Sequence, residues 1–240
     1  MTNVSDFVQL DFAPQRDRQA PVQMDIPHVS TSLFASGKSR VAKRAFDIVV
    51  ASCGIIFLSP LILLVGLAVY LLDGSPIFIS HRRLGLGGRS FSCFKFRSMK
   101  LNPEFVLKRH LDANPTARRE WEANHKLKDD PRITPLGRVL RKTSLDELPQ
   151  LINILRGEMS LVGPRPIVAE EAVKYGHNIV DYFSVHPGLT GMWQVSGRSE
   201  TTYNERVMLD VAYARRRTFA KDLAILFKTV SVVVTSMGSY

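Results

Sequence analysis

The chain has 240 residues, a formal net charge of +10 at pH 7 and two cysteines, Cys53 and Cys93. This length accommodates one sizeable domain and a tail. The two cysteines, far apart in sequence, form neither a CxxC motif nor a disulfide framework, which fits a reducing compartment. The positive charge is spread along the chain without a nucleic-acid-binding motif, so we expect no nucleic-acid partner. An anionic membrane surface and phosphorylated substrates suit this charge better.

The first 37 residues are predicted to be a disordered N-terminal tail. They are polar, they are punctuated by Pro14, Pro21 and Pro27, and they show neither helical nor strand periodicity. Segments of this composition cannot bury enough apolar surface to offset the entropy lost on ordering. The sequence therefore divides into a tail (1–37), a membrane-associated segment with a basic flank (38–75) and a cytoplasmic domain at the membrane interface (76–240).

Residues Ile48 to Leu72 form a run of 25 positions without a charged side chain. An apolar helix needs about 20 residues to cross the roughly 30 Å hydrocarbon core of a bilayer. Pro60 removes one backbone hydrogen bond, and its ring strikes the carbonyl of Ile56, at a cost of about 3 kcal/mol in a regular helix. Lipid offers the freed carbonyl no partner, whereas the hydroxyl of Ser59 could donate to it. We therefore expect the Ser59-Pro60 pair to break the helix.

Basic residues flank this run on both sides. They are Lys38, Arg40, Lys43 and Arg44 before it, and Arg82, Arg83, Arg89, Lys95, Arg97 and Lys100 after it. Because basic flanks favour the cytoplasmic side, both ends are expected on that side. A re-entrant hairpin bent at Ser59-Pro60, with arms of roughly 20 Å at 1.5 Å per residue, satisfies this expectation. A true span and a buried core helix remain alternatives, whereas a signal peptide is excluded by the length and position of the run.

The rest of the chain predicts an α/β fold that is mostly helical, with one small β-hairpin sheet. Two strands (77–81 and 91–99) are joined through a glycine-rich turn. Charged helical stretches fill residues 103–128 and are separated by Asn114-Pro115. Further helices are predicted at residues 136–141, at 148–155 with an end at Gly157, at 203–216 and at 218–235. The last of these is apolar enough to be core or to lie in the membrane interface.

Asp146 and Glu147 are adjacent carboxylates in the segment with the most candidate functional residues. One interpretation is helix capping, because Ser144 and Glu147 have capping-box spacing and Asp146 precedes a helix with Pro149 in its first turn. The other is catalytic, because a helix N-terminus lowers a carboxylate pKa and attracts phosphate. Adjacent helical side chains cannot flank a sugar ring, which disfavours a paired-carboxylate glycosidase. One carboxylate attacking phosphorus while the other holds Mg²⁺ is more plausible.

Three arginines are candidates for binding a diphosphate, namely Arg141, Arg165 and Arg198. Each lies in a segment bounded by Gly, Pro or Ser, and guanidinium binds phosphate through two parallel hydrogen bonds. Pro164 and Pro166 would hold Arg165 on a stiff backbone. The glycines of segment 186–198 allow tight turns and close approach to a ligand. No histidine has a spacing partner for zinc.

Eight segments of the chain form a distinctive combination of motifs: Lys43-Arg44-Ala45-Phe46-Asp47, Ser59-Pro60, Lys95-Phe96-Arg97-Ser98-Met99, Ser144 to Gln150, Arg156-Gly157-Glu158-Met159-Ser160, Val162 to Pro166, Pro187 to Arg198, and Gly238-Ser239-Tyr240. In these segments the chain resembles the monotopic phosphoglycosyl transferases, a family of bacterial sugar transferases, and within it the exopolysaccharide-initiating hexose-phosphate transferases. Together these segments cover most of residues 40–240.

The resemblance implies transfer of hexose-1-phosphate from a UDP-hexose (galactose or glucose) to undecaprenyl phosphate, with release of UMP. This reaction is the first step of exopolysaccharide biosynthesis. Asp146 would be the nucleophile of a covalent intermediate, and Glu147 would bind Mg²⁺.

Arg141, Arg165 and Arg198 would hold phosphates, and Lys95, Gln194, Asp222 and Pro166 would support the site. The protein would sit in the lipid bilayer at the cytoplasmic face of the inner membrane, and a homodimer remains open. A glycosyltransferase releasing UDP and a non-enzymatic membrane scaffold are the alternatives. The hexose and the polymer served cannot be read from these motifs.

Overall fold

The computed structural model describes residues 37–124, 127–196 and 201–235, so the predicted tail falls outside it except for its last residue. These ranges are mostly helical and contain two two-stranded sheets, which confirms the predicted helical character. The strands are β1 (Phe78–Leu84), β2 (Ser90–Phe96), β3 (Ser160–Val162) and β4 (Gly188–Thr190). The helices are α1 (Gly37–Asp73), α2 (Pro103–Ala113), α3 (Pro115–Asn124), α4 (Pro135–Lys142), α5 (Gln150–Arg156), α6 (Ala169–Ala172), α7 (Ile179–Phe183), α8 (Tyr203–Arg216) and α9 (Phe219–Thr235).

Helix α1 contains the whole apolar run and continues through Pro60. The hydroxyl of Ser59 donates a hydrogen bond of 2.8 Å to the carbonyl oxygen of Ile56, the acceptor that the proline leaves unsatisfied. The predicted role of Ser59 is therefore confirmed. The Ser59-Pro60 pair lies inside one helical segment rather than in a loop between two helices, and the bend at this pair stays a prediction.

The apolar side chains of α1 are largely exposed. Ile56, Phe57 and Leu63 have relative exposures of 74%, 84% and 73%. By length and composition the helix could cross a membrane, and only 11% of its most apolar window is buried within the protein. This exposure excludes the buried core helix, since a core helix is covered by its own fold. Apolar surface of this extent marks a membrane or protein contact.

Both ends of α1 are attached to the same domain. Near its start, Arg44 donates to the carbonyl oxygens of Ile154 and Leu155 in the last turn of α5, where a cation is favoured. At its end, Thr134 donates to the carboxylate of Asp73 over 2.8 Å. Arg97 also donates to the backbone carbonyl of Asp73. The helix is therefore fixed to the folded domain before and after its apolar run.

The predicted hairpin is present as the antiparallel pair β1–β2. Its register places His81 opposite Cys93 and Arg83 opposite Phe91. The turn uses Gly87 at φ +64°, a conformation that favours glycine. The predicted helices are also found: α2 and α3 are separated at Asn114, and α5 is capped at its end by Gly157 (φ +81°).

The parallel pair β3–β4 was not predicted. The backbone N–H of Gly163, just after β3, donates to the carbonyl oxygen of Thr190 over 2.9 Å. The backbone N–H of Gly188 donates to the carbonyl oxygen of Pro164 over 2.7 Å. A Cβ atom at Gly163 would overlap the carbonyl oxygen of His186. The glycines of these two segments therefore let two backbones approach each other, whereas the sequence predicted close approach to a ligand.

Candidate active site

Asp146 and Glu147 lie in a single 3₁₀ turn, Leu145–Glu147, between α4 and α5. Ser144 adopts a left-handed conformation (φ 58°), and neither its side chain nor Pro149 makes a capping hydrogen bond to a described residue. The helix-capping interpretation is therefore wrong for the described structure. The two carboxylates are held in place by cations instead.

Lys95, from the end of β2, lies between the two carboxylates. Its Nζ donates to Oε1 of Glu147 over 2.6 Å and lies 3.9 Å from Oδ2 of Asp146. Arg165 approaches the same Oε1 of Glu147 at 3.9 Å through its Nη1. Among the described residues, none donates to Oε2 of Glu147. One carboxylate is thus tightly paired, while Asp146 is buried at a longer distance from Lys95.

These surroundings move the two pKa values in opposite directions. Burial is the largest influence on Asp146 and raises its pKa above the ordinary aspartate value, Glu147 raises it further, and Lys95 only partly offsets this. Burial also acts to raise the pKa of Glu147, but Lys95 and Arg165 outweigh it and lower the pKa to about 2. The predicted lowering of the Asp146 pKa by a helix N-terminus is wrong, because Asp146 lies in a 3₁₀ turn and its burial dominates.

A narrow cleft opens in front of Glu147, with a cavity volume of about 10 Å³. Its lining residues are Arg83, Cys93, Lys95, Glu147, Gln150, Arg165, Pro166, Gly188, Leu189 and Gln194. Lys95, Glu147, Arg165, Pro166 and Gln194 are thereby brought together as the sequence predicted. Cations dominate the ionisable lining, so the cleft suits an anionic ligand.

Arg165 reaches the cleft from the segment that follows β3. Its backbone carbonyl accepts a hydrogen bond of 3.1 Å from the hydroxyl of Tyr182. Its guanidinium lies 5.8 Å from the ring centre of Trp193, within cation–π range. Because the side chain is 45% exposed, the charge of Arg165 remains accessible to a ligand.

Arg141 is placed by the docking of α4 against the end of the hairpin segment. Its Nε donates to the hydroxyl of Ser98 over 2.9 Å. The backbone of Gly137 lies so close to Ser98 that a Cβ atom would overlap the Ser98 carbonyl. Thr134 caps α4 by accepting from the backbone N–H of Gly137 over 2.9 Å. Asp146 is among the groups that act on the Arg141 guanidinium electrostatically, although Arg141 does not line the cleft.

Asp146 and Arg141 adjoin the cleft without lining it, and two further predicted site residues, Arg198 and Asp222, are not placed in it. Arg198 lies outside the described residues. Asp222 accepts a hydrogen bond of 2.8 Å from Tyr213 and lies 3.2 Å from Lys43. Lys43 in turn pairs with Asp47 at 2.8 Å. Asp222 thus joins α9 to the start of α1 and does not line the cleft.

Arg83, Gln150 and Ser98 were missed by the sequence analysis. Residues directly opposite each other in an antiparallel pair share a face, as do alternate residues along a strand. Arg83 therefore shares the cleft face of the hairpin with Cys93 and Lys95. The register of β1 against β2 is therefore sufficient to identify Arg83 as a cleft residue. Burial and then the neighbouring Arg165 lower the pKa of Arg83, which reflects the crowding of cations in the cleft.

The described residues contain no group of three or more His, Cys, Asp or Glu side chains that could hold a metal ion. Among the described residues that line the cleft, Glu147 is the only carboxylate, and the buried carboxylate of Asp146 adjoins it. Mg²⁺ is commonly bound by one or two carboxylates together with substrate phosphates, rather than by an all-protein cage. The available oxygens therefore fit an ion shared with a phosphorylated ligand and do not fit a structural metal site.

The family model of the bacterial sugar transferases matches residues 38–236. The chain is 50% identical over 223 residues to the exopolysaccharide production protein ExoY of Sinorhizobium fredii, a match covering 93% of this chain and 98% of that protein. It is 50% identical over 207 residues to the undecaprenyl-phosphate galactose phosphotransferase of Salmonella typhimurium. It is 38% identical over 208 residues to the UDP-glucose:undecaprenyl-phosphate glucose-1-phosphate transferase of Xanthomonas campestris.

The extent of these matches differs between relatives. The match covers 86% of this chain and 43% of the Salmonella protein, and 83% of this chain and 40% of the Xanthomonas protein. The chain therefore spans less than half of these two relatives and nearly all of ExoY. The carboxylate pair, the cationic cleft and the apolar run of α1 all lie within the matched region. The predicted family is confirmed: the chain belongs to the bacterial sugar transferases.

Proposed function

We propose that the protein is a phosphoglycosyl transferase that moves hexose-1-phosphate from a UDP-hexose to undecaprenyl phosphate and releases UMP. The observation that carries this proposal is the pairing of Lys95 with Glu147 in a cleft lined by Arg83 and Arg165, next to the buried carboxylate of Asp146. The names of two relatives, which specify sugar phosphate transfer involving undecaprenyl phosphate, support it. The hexose is galactose or glucose, and the reaction initiates exopolysaccharide synthesis.

Asp146 is the proposed nucleophile. Its carboxylate oxygen attacks the phosphorus that carries the hexose, and the bond from that phosphorus to the bridging oxygen breaks, so that UMP leaves with that oxygen. The acceptor phosphate then attacks the same phosphorus and displaces the aspartate, which returns to its starting form. The distance of 3.9 Å between Asp146 and Lys95 leaves the nucleophile less tightly paired than Glu147. Covalent catalysis of this kind divides one transfer into two displacements.

The cations stabilise the charge that accumulates on the phosphates. Arg165 and Arg83 line the cleft, and Arg141 is directed by its bond to Ser98. Guanidinium groups bind phosphoryl oxygens through two donors and require no reorganisation when they are already positioned. Arg198 is proposed as an additional phosphate ligand on the strength of the sequence motif. Gln194 and Pro166 shape the wall of the same cleft.

Glu147 is the proposed protein ligand for Mg²⁺. Lys95 and Arg165 approach its Oε1, whereas no described residue donates to Oε2, which therefore remains for a cation. A Mg²⁺ ion shared with the substrate diphosphate would polarise the phosphoryl oxygens. The low pKa of Glu147, about 2, keeps this ligand ionised at neutral pH.

Helix α1 is proposed to enter the bilayer from the cytoplasmic face of the inner membrane and return to it. Its start bonds to α5 through Arg44, and its end bonds to Thr134 through Asp73. A helix that crossed the roughly 30 Å hydrocarbon core would separate those two ends. Since both ends contact one folded domain, a re-entrant path with its deepest point near Ser59-Pro60 fits the contacts. The proposed path would hold the domain that carries Asp146 against the membrane surface, where the acceptor presents its phosphate.

The test is product analysis with purified protein, undecaprenyl phosphate and a panel of UDP-sugars. UMP formation that depends on both substrates supports the proposal, whereas UDP formation identifies an ordinary glycosyltransferase. No turnover with any UDP-sugar would favour the scaffold alternative. Asp146→Asn should abolish UMP formation. Asp129→Asn is the matched control, because Asp129 is 93% exposed and pairs only loosely with Arg138 at 3.4 Å.

A further inference from the structure

A large groove lies beside the start of α1, apart from the catalytic cleft. Its cavity volume is about 640 Å³, and none of its lining residues also lines the cleft. Met159, Val162 and Val185 contribute buried apolar side chains to it. A groove of this size falls within the range that accommodates small organic ligands, roughly 300 to 1,000 Å³.

The groove adjoins surface that is suited to lipid. One wall is the first part of α1, where Val41 and Ile48 are 70% and 40% exposed. The facing wall contains Phe219, the first residue of α9, which is 52% exposed. The ring of Phe219 packs edge-on against Phe46 at 5.1 Å, which joins the two walls. The groove therefore opens beside the helix whose apolar side chains face away from the protein, and its occupant would come from the lipid phase.

The charges around the groove favour an anion. Lys43 is paired with both aspartates that line it, at 2.8 Å to Asp47 and 3.2 Å to Asp222. Arg44 donates to two neutral carbonyl groups, so its charge is not cancelled. Arg217 makes no hydrogen bond or ion pair with the part of the chain that the structure describes. The arginines thus give the groove an excess of positive charge at the edge of the apolar segment.

We propose that this groove binds one anionic phospholipid of the bilayer, with the headgroup phosphate on Arg217 and the acyl chains along the apolar wall. Basic pockets beside membrane helices on the cytoplasmic side bind anionic headgroups in this way. The acceptor substrate is a different occupant, because its phosphate must reach Asp146, whereas the groove lies among the residues of α1, β3 and α9. Such a lipid would fix the full chain at a defined depth without taking part in the reaction.

The test uses native mass spectrometry of the full chain in detergent, with added phosphatidylglycerol or phosphatidylcholine of identical acyl chains. We expect one retained phosphatidylglycerol and no comparable retention of phosphatidylcholine. Arg217→Gln should weaken retention about tenfold, the loss of one charge-assisted contact. Arg216→Gln is the matched control, because it removes the same charge at an exposed neighbour that does not line the groove. Ala45→Trp, at an exposed lining position, should block retention by filling the groove.

Three results would overturn the proposal. Equal retention of phosphatidylglycerol in the Arg217→Gln and Arg216→Gln variants would show that Arg217 does not bind the headgroup. Retention of phosphatidylcholine equal to that of phosphatidylglycerol would show that the groove does not select an anionic lipid. Displacement of phosphatidylglycerol by undecaprenyl phosphate would assign the groove to the acceptor. Lipid retention is measured without turnover, so these outcomes are independent of whether the chain transfers a sugar phosphate.

Discussion

The contact between Lys95 and Glu147 offers a quantitative test of how the cleft is held together. Lys95→Met keeps the length of the side chain and removes its charge. Glu147 then loses a hydrogen bond of 2.6 Å, and the nearest remaining cation among the described residues is Arg165, at 3.9 Å. The side chains of Lys95 and Glu147 are 16% and 23% exposed, so water replaces the lost contact incompletely.

The expected loss of stability is about 2 kcal/mol. A hydrogen bond to a charged group contributes about 1.5–3 kcal/mol, and the nearby Arg165 compensates for part of this loss. For a domain of roughly 150–250 residues, 1 kcal/mol corresponds to about 2–4 °C in Tm, so Tm should fall by about 4–8 °C. Lys100→Met is the matched control at an exposed position, and it should change the free energy of unfolding by no more than about 0.5 kcal/mol.

The double variant Lys95→Met with Glu147→Gln isolates the interaction. Removing one partner leaves a partly buried charge uncompensated, whereas removing both does not. The double variant should therefore be more stable than Lys95→Met alone, by at least about 1 kcal/mol. Apparent Tm values are compared in one detergent at one scan rate, because unfolding of such proteins is often irreversible. Equal Tm values for Lys95→Met and the double variant would refute the reasoning.

The same pair predicts a pH dependence. The pKa of Glu147 is lowered to about 2 in the folded protein, against 4.5 for the ordinary group. A lowered carboxylate pKa contributes stability that is fully present above about pH 4.5 and is lost as pH falls towards 2. The stability difference between the wild type and Lys95→Met should therefore shrink across that interval. A difference that stays constant from pH 6 to pH 3 would contradict this account.

Three further predictions concern the nucleophile, α4 and α1. Burial and Glu147 raise the pKa of Asp146. Because the attack requires the ionised carboxylate, kcat/KM should fall on the acid side at a pH above the ordinary pKa of an aspartate. A kcat/KM that is flat down to pH 4 would contradict this. Gly137→Ala should displace α4 from Ser98 and lower kcat at least tenfold, because the added methyl group overlaps the Ser98 carbonyl; unchanged kcat would contradict the docking. Cysteines introduced as Arg40→Cys and Arg82→Cys should both be labelled by a membrane-impermeant thiol reagent only from the cytoplasmic side, and labelling from opposite sides would contradict the re-entrant path.

Local signals in the sequence were sufficient to predict much of the fold. The apolar run, the glycine turn near Gly87 and the helix end at Gly157 each depend on neighbouring residues, and each is found. The pair β3–β4 joins segments more than 25 residues apart through strands of only three residues each, and no local pattern predicts such pairing. The continuity of α1 through Pro60 was not predicted. The sequence suggests that Ser59 can satisfy the carbonyl of Ile56, but it does not indicate that the helix then continues past the proline.

The candidate site was predicted where its members belong to one short segment or carry an obvious charge. Asp146 and Glu147 are adjacent in sequence, and Lys95 was identified as a cation that supports them. Their pKa directions could not be predicted, because burial arises only when distant segments close over the turn. Ser98 was missed for a related reason: its role depends on the approach of α4 in space.

The most direct test of the proposed mechanism is mass spectrometry of the intact protein after incubation with UDP-galactose or UDP-glucose in the absence of acceptor. The mechanism predicts a mass increase of one hexose phosphate, located on the peptide that contains Asp146 and removed when undecaprenyl phosphate is added. Asp146→Asn should show no increase. The mechanism would be contradicted if the wild type released UMP only with acceptor present and never carried the adduct, or if the adduct were found on another residue.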